Sequence, residues 1–546
     1  MSRKTKITSV NENPSYPSDT DDSDIIPVRK SKKRIFSSSE SDSDFSTHDN
    51  SCAEDLLRNP EENIDNFEAE CNFPNWSKPI HYFDLFFDSE LLSLMVNETN
   101  NYAEYSRSLR KPSDLSKLQK WTPVTELELK AFIAMILEMG ITRRPSITSY
   151  WGKNSRQIPW FKKMFSRNRF QEILKYFHLV DSSLCFPPSH PNYDPCVRFE
   201  PLVKHANRVF KLYYTPHKEL SIDESLVGTL CHSSITQYLP NKKHHRWGIK
   251  FWMLCDAVSK YCLTFYCYKG AKSRNNSDKN TFGLGYNVVI NLLNESNCLH
   301  QGYHVFVDNF FSSIELARYL YSNNTYLTGT IRRNKKCIPD HLKTVNVNEP
   351  KYFKHNNVLL CAYREKKSVK KPVILISTKC EEKNVTITKK KHGRERHSTK
   401  PAIIHSYNTF MGGVDESDKM LYTYLDERRT VKYWKKVAFN IMNRMVLNAY
   451  IIYKKNANNR AMTRLDFISR IIFDIGREWM KERRVRAFQC DFLDENRLRL
   501  VKLPQRNLRN CVVCSTKNKR KRSHLICVQC EKGVHPTCYH KHQCVT

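Results

Sequence analysis

Two aspartates stand where apolar, strand-like runs stop. Leu220-Ser221-Ile222 alternates into Asp223, and Val305-Phe306-Val307 closes on Asp308. A carboxylate that ends a buried strand is costly to desolvate unless something positive meets it. A third candidate, Asp415, follows Gly412 and Gly413, which would let the backbone turn tightly into a helix. Asp418 lies at i,i+3 on the same helical face. Carboxylates converging on one point repel each other unless divalent cations lie between them. Mg2+ is the expected ion, with Mn2+ as a substitute, because it prefers oxygen ligands and keeps water. Two such ions serve phosphoryl transfer, one activating the attacking oxygen and the other stabilising the leaving oxygen. Any one of these aspartates alone reads better as a cap or a turn; taken together, their order among the surrounding elements favours the metal reading.

That order runs from helical to strand-like and back. Thr125-x-x-Glu128 is a capping-box pattern ahead of Leu129, Phe132, Ile133, Ile136 and Leu137, with Gly140 as a stop. A second helix follows Ser166, with Phe170, Ile173, Leu174 and Phe177 on one face. From Leu220 the period becomes two. Trp247–Leu254 and Tyr261–Tyr268 read as a hairpin, Tyr286–Leu293 as a helix, His304–Asp308 as a short buried strand. Ser312-x-x-Glu315 caps a helix over Ile314–Tyr321, and Tyr326–Ile331 is a further strand. Three strands, helix, strand, helix, strand suit a layered α/β domain. A Lys-rich stretch with strands at Val358–Tyr363 and Val373–Ser377 follows, and then helical period returns with Trp434, Val437, Ala438, Ile441, Met442 and Met445.

A formal net charge of +33 on 546 residues points to a polyanionic partner, and nucleic acid is the obvious one. Residues 1–70 are rich in Ser, Asp, Glu and Asn and are expected to be disordered. They carry Arg29-Lys30-Ser31-Lys32-Lys33-Arg34, which reads as a nuclear localisation signal or as a solvated charge run. No signal peptide and no apolar run of membrane-spanning length is evident, so an intracellular, soluble protein is expected. In a reducing compartment 19 cysteines argue for metal ligands or buried thiols over disulfides.

Ser221-Ile222-Asp223-Glu224-Ser225, Phe306-Val307-Asp308-Asn309-Phe310-Phe311, Gly329-Thr330-Ile331-Arg332-Arg333-Asn334 and Gly412-Gly413-Val414-Asp415-Glu416-Ser417-Asp418 look like successive signature blocks of the piggyBac transposase family. Phe83-Asp84-Leu85-Phe86-Phe87-Asp88-Ser89-Glu90-Leu91-Leu92 resembles its N-terminal block. The resemblance runs from about residue 73 to 490 and again at the C-terminus. It implies an α/β multi-domain chain with a ribonuclease-H-like core whose three essential aspartates match Asp223, Asp308 and Asp415; Asp418 matches an additional acidic position. The implied organisation is a disordered tail (1–70), a helical dimerisation and DNA-binding domain in two parts (71–215 and 422–500) and a catalytic core in two parts (216–335 and 402–421). A basic insertion domain (336–401) and a cysteine-rich domain (505–546) complete it. The implied reaction is a nick at each transposon end, attack of the freed 3′-OH on the other strand to form a hairpin, its opening, and joining to target DNA at TTAA. A homodimer is implied because two ends must be paired. Arg332, Arg333, Lys335, Lys432, Lys435 and Lys436 are candidate phosphate contacts.

The C-terminal segment reads Cys511-x2-Cys514, twelve residues, Cys527-x2-Cys530-x4-His535-x2-Cys538, then His540, His542 and Cys544. Thiolates two residues apart bite one tetrahedral zinc, and alternating pairs cross-brace two. One site is assigned to Cys511, Cys514, His535 and Cys538; the other takes Cys527, Cys530 and two of His540, His542 and Cys544. The loop between the first two Cys pairs carries Lys519, Arg520, Lys521 and Arg522, which supports a DNA role. The leading expectation is a transposase located in the nucleus. The alternative is a domesticated, transposase-derived nuclear DNA-binding protein that does not transpose; a zinc-dependent ubiquitin ligase would leave the middle of the chain unexplained.

Overall fold

The computed structural model describes residues 78–108, 121–152, 158–231, 233–240, 245–270, 282–391, 394–428, 430, 432–457, 461–498, 500–503, 508–516, 520–527 and 530–543. The tail 1–70, with its basic cluster, lies outside them.

Six helices open the chain: α1 (Pro79–Phe86), α2 (Ser89–Ser108), α3 (Glu126–Ile141), α4 (Pro159–Met164), α5 (Arg167–Tyr176) and α6 (Glu200–Leu212). Half of the capping box expected at α3 is present, Thr125 accepting from the Glu128 N–H at 3.3 Å, while the Glu128 carboxylate is taken by Arg169 at 2.7 and 2.8 Å. Gly140 is not the stop. The helix ends one residue later, and a Cβ on Gly140 would meet the Tyr424 carbonyl oxygen at 2.0 Å, so this glycine permits close approach.

Strands β1 (Glu219–Gly228), β2 (Thr236–Tyr238), β3 (Trp247–Asp256) and β4 (Cys262–Cys267) follow, then α7 (Leu284–Glu295), β5 (His304–Val307), α8 (Ile314–Ser322) and β6 (Tyr326–Thr330). β1 pairs antiparallel with β3 and parallel with β5, and β5 pairs parallel with β6. β2 and β4 both pair with β3, at different stretches of it. The cap of α8 is Ser313, one residue later than expected; Ser312 instead bonds the Asp308 carbonyl at 3.2 Å.

The segment 336–401, expected as an insertion of its own, is drawn into the same sheet. β7 (Lys351–His355), β8 (Val358–Tyr363) and β9 (Val373–Ser377) extend it through antiparallel pairing of β6 with β9, giving nine strands. Only the ribbon β10 (Asn384–Lys391) and β11 (Arg394–Pro401) is a separate sheet. The chain then re-enters the core through α9 (Ala402–Phe410) and α10 (Gly413–Thr423) and leaves by α11 (Tyr433–Ala457) and α12 (Arg464–Leu498).

The helices before and after the sheet form one body. Tyr82 of α1 meets Tyr453 of α11 edge-on at 5.5 Å, and Trp479 of α12 donates to the Met164 carbonyl while its ring stacks on Phe165. α11 is buried along most of its length, polar residues included. Those polar residues are accounted for: Asn448 both donates to Cys262 O (2.8 Å) and accepts from Cys262 N (3.1 Å), tying α11 to β4. The last elements are short strands β12 (Leu500–Lys502), β13 (Arg509–Asn510), β14 (Arg522–Ser523) and β15 (Leu525–Cys527), with a small core of Leu500, Cys527 and Val534. No described helix is long and apolar enough to cross a membrane.

Candidate active site and zinc-ligand clusters

Parallel register brings the first two aspartates together. Ile222 pairs with Val307, so Asp223 and Asp308 occupy the next position on adjacent strands, whose axes lie about 4.8 Å apart. Asp223 does not end its strand: β1 continues five residues to Gly228, along β3. Both aspartates are half-buried. The Glu224 N–H donates to Asp223 Oδ1 at 2.8 Å, and Thr330, at the end of β6, donates to Asp308 Oδ1 at 3.1 Å. Above them Tyr407 of α9 holds its hydroxyl 3.5 Å from Thr330 Oγ1. Burial pushes this phenol up to about 12, and the negative charges of Asp308 and Asp223 add to the effect, so it stays protonated.

Asp415 lies in the first turn of α10 and is exposed. What holds that turn against the sheet is its glycine. A Cβ on Gly413 would sit 2.9 Å from Ser221 Cβ and 3.2 Å from Ala257 Cα, and Ser221 Oγ donates to the Met411 carbonyl at 2.6 Å. Gly413 therefore serves contact rather than a tight turn. The β3–β4 turn grips the same helix end through Lys260–Glu416 at 2.8 Å. That turn is set by Asp256, fully buried, which accepts from Tyr214, His217, Val258 and Ser259. The cost of burying its carboxyl is outweighed by these bonds and the His217 charge, which hold it down at about 2.

Asp418, three residues on from the exposed Asp415, is buried. Its Oδ1 accepts from Ser225 of β1 at 2.9 Å and from Arg444 of α11 at 2.5 Å, and Arg444 is 2% exposed. The expected auxiliary acid is thus a buried strut linking three elements. The candidate phosphate contacts divide similarly. Arg332 and Arg333 are exposed, Arg332 donating to Asn309 beside Asp308. Lys335 donates to the Ser312 carbonyl at 2.7 Å. Lys435 is turned inward: its ammonium caps the last carbonyls of α5, Leu174 and Lys175, and it is 5% exposed, so it is not presented to a phosphate. Lys432 and Lys436 are half-buried, and burial pulls Lys436 below the usual lysine range. Arg520, Lys521 and Arg522 are exposed; Lys519 lies outside the described residues. The roles of Ser221, Thr330 and Tyr407 had no signal in the sequence beyond the presence of Ser221 and Thr330 in quoted motifs.

At the C-terminus, Cys511, Cys514, His535 and Cys538 bring one ligand atom each within 4.8 Å of one another, as do Cys527, Cys530 and His542. Both are Cys/His sets of the kind that holds structural zinc. Each Cys-x2-Cys turn is closed alike, Ser515 N–H to Cys511 O (3.0 Å) and Glu531 N–H to Cys527 O (2.8 Å). His535 Nε2 lies 3.0 Å from the Arg522 carbonyl, which turns Nδ1 toward Cys514 Sγ at 3.2 Å. Backbone N–H groups of His535, Cys514 and Val513 outweigh burial and bring the Cys511 thiol down to about 6. Of the three candidates for the second set, His542 joins Cys527 and Cys530; Cys544 and the side chain of His540 lie outside what the structure describes.

A family model described as Transposase IS4 matches residues 78–450. Human piggyBac transposable element-derived protein 3 is 24% identical over 423 residues, covering 72% of this chain and 64% of that protein. Human piggyBac transposable element-derived protein 2 is 24% identical over 390 residues, 69% of this chain and 61% of the relative. This chain belongs to the piggyBac transposase family. It spans a little under two thirds of the length of these two relatives. Among solved structures, a cryo-EM structure of the piggyBac transposase synaptic complex with hairpin DNA matches with a TM-score of 0.65 at 23% identity, covering 84% of this chain and 95% of that one. The likeness establishes that the piggyBac fold is shared over most of the chain.

Proposed function

We propose that the chain is a divalent-metal-dependent DNA transposase that cuts and rejoins DNA through Asp223, Asp308 and Asp415. The register that sets Asp223 beside Asp308 at one end of two parallel strands carries this reading. The strand order β4-β3-β1-β5-β6, with β3 antiparallel to both its neighbours and β1, β5 and β6 parallel, supports a ribonuclease-H-like core. The donor set is all oxygen, which suits Mg2+. Two such ions are proposed, held by Asp223, Asp308 and Asp415. When bound, those ions would activate the attacking oxygen and stabilise the leaving one. Thr330 fixes the Asp308 carboxylate, Gly413 seats the helix that carries Asp415, and the protonated Tyr407 offers a donor beside the two strand carboxylates. Arg332 is available to a phosphate next to Asn309.

By likeness to the family, the substrate is double-stranded DNA bearing terminal repeats, cut through a hairpin and joined at TTAA by a homodimer in the nucleus. The two Cys/His clusters hold structural zinc and place Arg520, Lys521 and Arg522 for contact with DNA. The curated relatives bear the name transposable element-derived proteins, which favours as a second reading a nuclear DNA-binding protein that no longer transposes. An excision assay in cells separates the two. A reporter interrupted by the element's own TTAA-flanked ends should be restored by the wild type and not by Asp223→Ala. Silence from both, with the ends still bound, would establish the second reading.

A further inference from the structure

The β1–β3–β2 part of the sheet overhangs its parallel part. β5 stops at Val307, but β1 runs on to Gly228, and β2 and β3 pair beside it as far as Tyr238 and Trp247. At the end of this overhang the two rings face each other at 4.9 Å and 45°, yet remain 48% and 49% exposed, with Leu230 nearby in the chain at 81%. Large aromatics packed on each other and left half in water are costly to hydrate and are not used by the core. Their side is fixed by register. Asp223 opposes Met253, Val227 opposes Ile249, and Ile249 is two residues from Trp247, so Trp247 and its partner Tyr238 share the face of Asp223. Six residues of β3 separate them from the Asp223 position, about 20 Å, or six base-pair steps.

The charge around the rings selects the occupant. Arg246, adjacent to Trp247, is exposed, and its carbonyl closes the hairpin on Leu239. His245, next along, is engaged with Glu427 at 2.8 Å, which leaves Arg246 as the exposed cation beside Trp247 among the described residues. An exposed ring pair beside Arg246, on the sheet face of Asp223, fits an unpaired nucleobase with its phosphate: every base has a π-face, and the cation meets the backbone.

We propose that Tyr238 and Trp247 form a stacking platform for an unpaired base of the DNA end being processed. The inference rests on the DNA-processing reading above. The test uses the full chain and two fluorescent probes, a blunt DNA duplex and the same duplex with a four-nucleotide single-stranded end. Wild type should prefer the single-stranded end. Trp247→Ala and Tyr238→Ala should each lose roughly fivefold to a hundredfold on that probe, the worth of one base stack, with blunt-duplex affinity unchanged. Trp247→Phe, which keeps a ring, should restore most of the preference. A wild type that binds both probes equally, or a preference that survives Trp247→Ala, overturns the platform while leaving DNA binding intact. Failure of the wild type to bind either probe overturns the DNA reading and the platform with it.

Discussion

Asp415 and Asp418 are three residues apart on one helix and are committed to different tasks. Asp418 and Arg444 are a buried pair, and removing one partner of such a pair leaves an uncompensated charge at about 3–5 kcal/mol. Asp418→Ala should therefore lower the unfolding midpoint sharply, and Asp418→Leu combined with Arg444→Met should recover much of the loss. Asp223→Asn should leave the melting curve near wild type and abolish strand cleavage. A melting temperature unmoved by Asp418→Ala would show that the pair is not a strut. A second residue-scale effect concerns His304, 4% exposed and bonded to Thr328 at 2.7 Å. Burial, reinforced by the Lys379 and Lys218 charges, pulls it down to about 3. The folded value lies below the unfolded one of about 6.5, so stability is full above pH 6.5 and falls as pH drops from there toward 3, by about 1.4 kcal/mol per pH unit. Urea midpoints at pH 7.5 and 5.5 should differ less in His304→Gln than in wild type; an equal pH slope would remove His304 as the cause.

Among elements, α10 depends on the absence of one side chain. Gly413→Ala would drive a methyl into Ser221 and Ala257, both backbone-anchored, and shift Asp415 away from the sheet. Cleavage should fall at least about tenfold, since a misplacement of about 1 Å costs up to a hundredfold, while secondary structure by circular dichroism is retained. Undiminished cleavage would mean that this contact does not position Asp415. The zinc clusters are argued at the same scale. Cys527→Ser should cut zinc by atomic absorption from two ions per chain to one, because the other cluster draws its four ligands elsewhere, and retention of both would contradict the division. What the chain betrays of these elements follows from how local their causes are. The Thr125 cap, the β3–β4 hairpin and the Cys-x2-Cys pairs are decided within a few residues and can be read directly. The end of β1 cannot: Asp223 interrupts the apolar alternation, but pairing with β3 carries the strand to Gly228. Lys435 looks like any surface cation until the C-terminus of α5, some 260 positions earlier, is folded beneath it. The union of β9 with β6 likewise spans 45 positions or more and leaves no periodic trace.

At the scale of the molecule, the charge is not evenly committed. Many cations are held by partners, such as Lys130 by Asp84, Arg169 by Glu128, Arg208 by Asp88 and Lys435 by carbonyls, and these contribute little to a distant polyanion. The net excess of +33 remains, and the exposed Arg332, Arg333, Arg520, Lys521 and Arg522 belong to it. If DNA is gripped mainly through such phosphate contacts, each releases close to one condensed counterion, and log K falls linearly with log salt at about −0.9 per contact. Six to ten contacts would weaken binding to a duplex by roughly a thousandfold to a hundred-thousandfold between 50 and 200 mM salt. Arg332→Ala and Arg520→Ala should each flatten the slope by about one, whereas Lys435→Ala should destabilise the fold and leave the slope of the surviving folded protein unchanged. Anisotropy titrations across that salt range decide it. A slope near zero in the wild type would show that the positive excess serves something other than DNA. A slope reduced by Lys435→Ala would mean that the buried ammonium is released to the phosphates when DNA binds.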